Sequence, residues 1–339
     1  MAWGVGVVGY GQQGRWHAGH LGRQEPDFRL VGIYDPTEAC RARAQTDWAG
    51  SPVTIYAELD RFLADPAIEL VLIATPTTSH APLTISALEA GKHVVCEKPM
   101  AMNADEGYAM LQAATRAGRV FSVFQNRRWD GYFLQAKSAV ESGYLGRIME
   151  LGFVEHSFAP GSLTYGVSAF RSQWRAERAY GGGMLYDWGG HRVDQLLLLH
   201  RAPVERVYCQ LVNGHWLQEQ DADNGFHIEI TFTDSVVAHV EMNTVSLAGV
   251  RTAWYVSGTE GGYLQGKLLH RVRGRIFTTD WPEPNGVEGF WPNLVRVLRQ
   301  EPGAVQGVPP EESVRVMRVI DAAFQSHEQG QVVRFDSPV

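Results

Sequence analysis

From Val5 to about Val123, short β-branched runs alternate with amphipathic stretches, the pattern of βαβ units on a parallel sheet. It predicts strands at Val5–Val8, Arg29–Tyr34, Leu70–Ala74, His93–Cys96 and Val120–Val123, with helices around Pro82–Ala90 and Ala104–Ala117. Near-continuous apolar strands suit a sheet covered on both faces. After Phe124 the period changes. One helix near Gly131–Ser142 precedes longer alternating strands such as Ile148–Ser157, Phe226–Phe232 and Val236–Met242, and a last helix near Pro310–Glu328 precedes a strand at Val332–Phe335. The expectation is α/β plus α+β: a doubly wound Rossmann domain over 1–124, and a substrate-binding and oligomerisation domain over 125–339 on a large, mainly antiparallel open sheet. The stretch 158–180 is too long for a simple connection and is read as a substrate-facing loop.

The first strand runs into Gly9-Tyr10-Gly11-Gln12-Gln13-Gly14, the G-x-G-x-x-G turn that cradles a dinucleotide pyrophosphate. Gly9 would allow the tight turn, Gly11 the close approach of backbone to phosphate, and Gly14 the packing of the next helix, whose N–H groups face the anion. The second strand ends at Asp35, about 20 residues further on, where a carboxylate meets the adenosine ribose. A carboxylate accepts from a free 2′-OH and repels a 2′-phosphate, so NAD is expected over NADP. Arg41 and Arg43 could reach back from the next helix to hold a phosphate, or be solvated surface charges. Ligands of such sheets lie beyond the carboxyl ends of the strands, which points to Thr75, Pro76, Thr77 and His80 in one loop and to Glu97, Lys98 and Pro99 in another. For His80, at a helix start, capping is the alternative.

The 339 residues are long enough for two domains, and an apolar fraction of 45% sets the chain among globular proteins. A net charge of -7 without any Lys/Arg run argues against nucleic acid or an anionic membrane as partner, leaving a small molecule. Cys40, Cys96 and Cys209 are odd in number and widely spaced, which suggests buried thiols in a reducing compartment, not a disulfide framework or zinc site. With no signal-peptide pattern and no apolar run of spanning length, a cytoplasmic protein is expected.

A second dense motif is Gly181-Gly182-Gly183-Met184-Leu185-Tyr186-Asp187-Trp188-Gly189-Gly190-His191-Arg192-Val193-Asp194. On a helix starting at the glycines, Asp187, His191 and Asp194 share one face, placing an imidazole between two carboxylates. That is an acid/base arrangement, because a carboxylate can fix the tautomer and raise the basicity of a histidine. The alternative is an ordinary helix with a capping Asp and a surface His. One His and two carboxylates could ligate a cation, but no second His or Cys lies at helical spacing and hydride transfer needs no metal, so none is expected.

With these motifs in the order dinucleotide turn, Ala74-Thr75-Pro76, Glu97-Lys98-Pro99 and Asp187 to His191, the chain resembles the glucose-fructose oxidoreductase / inositol dehydrogenase / rhizopine catabolism (Gfo/Idh/MocA) family over most of its length. The resemblance implies that Lys98 holds the reacting hydroxyl, His191 is the general base, and Asp187 orients substrate or His191, with hydride passing to nicotinamide C4. Asn126-Arg127-Arg128-Trp129-Asp130 and Met184-Leu185-Tyr186-Asp187 look most like scyllo-inositol dehydrogenases that use NADP, whereas Asp35-Pro36 departs from that subgroup. Arg127, Tyr165, Arg171, Trp174 and Arg175 are candidates to touch substrate, because sugar rings want aromatic faces and fixed donors. The expected function is NAD(P)-dependent hydride transfer between nicotinamide and a secondary alcohol or ketone of a sugar, cyclitol or sugar derivative. The rivals are a lyase or glycosidase that retains its NAD through transient oxidation, and a silent NAD/sugar-binding sensor. A homodimer or homotetramer is expected, formed through the open face of the second sheet.

Overall fold

The structure is a computed structural model that describes residues 2–160, 174–214, 216, 221–249, 251–337 and 339. Its described residues fall into two compact units, one drawn from 2–124, 174–181 and 290–314, the other from 125–160, 182–214, 216, 221–249, 251–289, 315–337 and 339.

In the first unit a six-stranded parallel sheet has the order β3-β2-β1-β4-β5-β6, with the switch of direction beside β1. Its strands are β1 (Trp3–Val8), β2 (Phe28–Tyr34), β3 (Thr54–Tyr56), β4 (Leu70–Ile73), β5 (His93–Cys96) and β6 (Phe121–Val123). Between them run α1 (Gln12–Arg23), α2 (Glu38–Asp47), α3 (Leu59–Ala64), α4 (His80–Glu89) and α5 (Ala104–Ala117). Val5, Val7, Leu70, Leu72, Val94 and Val95 are all inaccessible, as strands covered on both faces must be. Asn103 caps α5 by accepting from the Glu106 N–H at 2.9 Å, and Gly118 ends it in the left-handed region.

In the second unit the order is β14-β13-β12-β11-β7-β10-β9-β8-β15, antiparallel except where β10 runs parallel to β7. The strands are β7 (Ile148–His156), β8 (Val204–Val212), β9 (Gly225–Phe232), β10 (Val237–Asn243), β11 (Arg251–Gly258), β12 (Gly261–Leu264), β13 (Lys267–Val272), β14 (Arg275–Asp280) and β15 (Val333–Arg334). The remaining helices of the chain are α6 (Gly131–Glu141), α7 (Gly190–Leu199), α8 (Phe290–Leu298) and α9 (Pro310–Gln329). α8 lies in the first unit, and the division between units passes within α9. Strand alternation sorts the second sheet: Phe226, Ile228, Ile230, Ala238, Val240 and Met242 are buried on one face. The other face carries ion pairs, His156 with Glu241 at 2.8 Å and His239 with Glu150 at 3.7 Å. Among the described residues no helix is long and apolar enough to cross a membrane.

Candidate functional site

At the end of β1 the chain turns through Gly9, whose φ of +89° favours glycine, and a Cβ on Gly14 would stand 1.8 Å from the Gly9 carbonyl oxygen. A Cβ built on Gly11 meets nothing within 4 Å, so the space above the first turn of α1 is open. Gly11 is the N-cap and offers no side chain to the helix N–H groups, which suits a pyrophosphate there. A cavity of about 460 Å³ begins at this turn. Gly9, Gly11, Gln12, Gln13, Asp35, Thr75, Pro76, Thr77, His80, Glu97 and Lys98 all line it, so eleven of the expected cofactor residues meet in one place, and Gly14 lies behind them in the turn.

The cavity walls are braced by hydrogen bonds. Asp35 accepts from the Tyr10 N–H through Oδ2 at 2.7 Å and from the Thr37 N–H through Oδ1 at 2.8 Å, joining the loops that follow β1 and β2. Tyr10 is pushed up to about 12 by burial and by its hydrogen bond to Asp47, so it stays a neutral phenol in the turn. Arg41, half-buried, folds back on this loop, its Nη1 donating to the carbonyls of Asp35 at 2.9 Å and Pro36 at 2.6 Å, while Arg43 is exposed. His80 does more than start a helix. Its Nδ1 faces the Pro99 carbonyl at 2.8 Å and its Nε2 the Thr75 carbonyl at 3.0 Å, tying the loops after β4 and β5 together. Burial holds it below the usual histidine value, so the neutral ring donates to one carbonyl at a time.

Glu97 positions the loop that carries Lys98. Its Oε1 meets His17 Nε2 of α1 at 2.7 Å, and its Oε2 accepts from the Lys98 N–H at 3.0 Å. Burial acts to raise the Glu97 carboxyl, but the His17 hydrogen bond and the charges of His17 and Lys98 outweigh it, and the group lies below the usual range. The His17 to Glu97 link thus connects the pyrophosphate helix to the lysine's backbone.

In the second unit the glycine-rich segment opens a helix, as the sequence suggests, but not a regular one. Leu185–Gly189 form a π turn before α7, so Asp187 sits in a wide turn of a kind frequent at functional sites. Gly183 has a φ of +106°, and a Cβ there would lie 2.2 Å from Asp223 Oδ1. That proximity is used: Asp223 Oδ2 caps the helix start by accepting from the Leu185 N–H at 2.9 Å. Asp187 and His191 are both buried, which rules out the surface histidine.

Asp194 forms a buried two-point ion pair with Arg128, at 2.8 Å to Nε and 2.5 Å to Nη2, a counter-charge for a guanidinium in the 126–129 turn. His191 Nδ1 meets Gln125 Oε1 at 2.8 Å. An amide oxygen only accepts, so Nδ1 carries the proton and Nε2 is the basic nitrogen. Gln125 was missed because a lone Gln at a strand end has no periodicity or spacing to mark it; the adjoining Asn126-Arg127-Arg128-Trp129-Asp130 motif was the only cue.

Arg127 lies beside this segment, its guanidinium carbon 5.2 Å from the Trp188 ring centre, and its Nη1 pairs with Asp130 at 3.3 Å. Trp174 and Arg175, expected at the substrate, line the dinucleotide cavity of the first unit. Tyr165 and Arg171 lie outside the described residues. Lys98 belongs to the first unit, Asp187 and His191 to the second.

A parallel sheet with this switch point, glycine turn and ribose-end carboxylate defines an NAD-binding oxidoreductase fold, and comparison with known proteins agrees. Residues 3–125 match the oxidoreductase family with an NAD-binding Rossmann fold, and residues 133–264 match the GFO/IDH/MocA C-terminal domain. The chain belongs to the Gfo/Idh/MocA family. It is 33% identical to the uncharacterized oxidoreductase YdgJ of Escherichia coli, over 95% of either chain. It is 26% identical to scyllo-inositol 2-dehydrogenase (NADP(+)) IolW of Bacillus subtilis, over 98% of this chain and 96% of the relative. A solved NAD-binding protein from Listeria innocua superposes with a TM-score of 0.85 at 32% identity, covering 98% of this chain and 97% of that one.

Proposed function

We propose that the protein oxidises a secondary alcohol of a sugar, cyclitol or sugar derivative and uses NAD in preference to NADP. The observation that carries the reading is His191, buried at the start of α7 with its tautomer fixed by Gln125 so that Nε2 can take a hydroxyl proton. Lys98 holds the reacting oxygen and steadies its charge as that proton leaves, and Asp187 orients substrate or base. NAD, when bound, supplies the hydride acceptor at nicotinamide C4. A secondary alcohol losing hydride from carbon and a proton from oxygen needs these parts and no metal.

The preference for NAD rests on Asp35. It lines the dinucleotide cavity at the end of β2, where its carboxylate accepts from a ribose hydroxyl and opposes a 2′-phosphate. Arg41, folded over the same loop, moderates the discrimination. Calorimetric titration is expected to give NAD a Kd roughly tenfold below that of NADP, a difference of about 1.4 kcal/mol. Asp35→Ala narrows the ratio, and Arg41→Ala widens it by weakening NADP alone. Tighter binding of NADP by the unaltered protein would refute the preference.

A further inference from the structure

His17 lies on α1 and is wholly inaccessible, so neither cofactor nor substrate can reach it. Its surroundings are aromatic. The Phe124 ring stands 4.7 Å from the imidazole and the Trp16 ring 4.8 Å, both edge-on, and Trp291 of α8 approaches to 6.1 Å. Phe290 packs on Phe124 at 4.8 Å and on Trp291 at 5.0 Å, so residues from far along the chain complete the nest. An aliphatic side chain would fill such a nest at no polar cost. Histidine bears one, because its Nδ1 is buried with no hydrogen-bond partner among the described residues. What the imidazole offers in return is Nε2, 2.7 Å from Glu97 Oε1.

The other carboxylate oxygen of Glu97, Oε2, accepts from the Lys98 N–H at 3.0 Å. Burial acts to raise the Glu97 carboxyl, yet it lies below the usual range, and the His17 hydrogen bond is the largest of the contacts that outweigh burial. An ionised carboxylate only accepts, so His17 Nε2 carries the proton of their bond. One carboxylate thus takes one N–H from α1 and one from the backbone of the lysine. Among aromatic rings that bond meets little competition from water.

We propose that His17 is a positioning residue for Lys98: by fixing Oε1 of Glu97 it keeps Oε2 in place, and Oε2 holds the lysine's backbone where its ammonium can meet the reacting hydroxyl. This rests on the role proposed above for Lys98 and adds a residue that acts on it through Glu97. His17→Leu fills the nest but frees the carboxylate to turn. His17→Gln carries an amide N–H at a similar reach and keeps the donor. A displacement of about 1 Å at a reacting group costs up to about 10²-fold in rate, so the loss is expected in kcat.

Hydrogen exchange of the full-length protein, without cofactor or substrate, reads the placement directly. His17→Leu is expected to speed exchange of the Lys98 amide by about tenfold while β1 and β4 exchange as before, and His17→Gln to restore most of the protection. A residue that only filled space would speed all of these alike, or none. With NAD and myo-inositol or D-glucose, His17→Leu lowers kcat by about 10- to 10²-fold, and His17→Gln keeps at least about a third of it. The Kd for NAD stays within about twofold in both. Glu97→Gln has one oxygen for two donors and frees the Lys98 amide in the same way, which carries the test should His17→Leu not fold. Joined to His17→Leu it adds little to the loss of kcat, as expected of residues that act one through the other. An unchanged Lys98 amide or full kcat in His17→Leu overturns the positioning, and so do losses that add in the double variant. Exchange that quickens as expected in a protein that oxidises neither alcohol keeps the hold of His17 on Lys98 and sinks the alcohol reading alone.

Discussion

Replacing His191 by alanine lowers turnover by about 10²- to 10⁴-fold, the range contributed by a positioned general base. NAD affinity stays as it was, because every residue lining the dinucleotide cavity belongs to the first unit and His191 to the second. The size of the loss follows from its environment. The ring is buried and its Nδ1 meets the Gln125 amide oxygen, a geometry that sets which nitrogen is basic. Alanine removes both the proton acceptor and the group that Gln125 orients. Steady-state kinetics with NAD, paired with a binding isotherm for NAD, checks both halves. Retention of more than about a tenth of the turnover would remove His191 from the role of base.

Breaking the Arg128–Asp194 pair gives the largest expected loss of stability. Both side chains are almost wholly buried, at 6% and 2% accessible, and they meet through two hydrogen bonds. Asp194→Ala leaves a guanidinium in the interior without its counter-charge, which costs about 3–5 kcal/mol. Against a total of about 5–15 kcal/mol for a typical protein, that is enough to unfold a sizeable share of the molecules. The damage reaches the site as well, because Arg128 anchors the turn that begins beside Gln125 and carries Arg127. Urea denaturation followed by circular dichroism measures the loss; a cost below about 1 kcal/mol would mean the pair is no more than a surface-like contact.

The elements that the sequence announced are those whose side chains answer to one rule at a time. β1, β4 and β5 are runs of buried aliphatics, α5 has its Asn cap and Gly stop, and the glycine turn reads directly as a phosphate cradle. β14, fully exposed from Arg275 to Asp280, carried no buried alternation by which to be seen, whereas β15 falls within the strand read at Val332–Phe335. At the site, the eleven cavity-lining residues were legible because strand ends and loops place them by topology. The neighbours of His191 were not. That Asp194 meets Arg128 and His191 meets Gln125 depends on a turn far away in sequence, and helical spacing alone is silent on it. The π turn at Leu185–Gly189 is equally invisible to a pattern of period 3.6, since its extra residue per turn is set by packing and by the Asp223 cap. Trp174 and Arg175, singled out by aromatic and basic composition, line the dinucleotide cavity, a placement that composition alone does not disclose.

The most direct measurement is the fate of the hydrogen on the oxidised carbon. With C-deuterated myo-inositol and C-deuterated glucose offered in turn to the protein and NAD, the reduced cofactor recovered from the reaction should carry one deuterium at nicotinamide C4, and His191→Ala should form it at least about 10²-fold more slowly. Product formed while the cofactor stays bound and returns to its oxidised, unlabelled state would contradict free hydride exchange and place the protein among enzymes that use NAD only transiently.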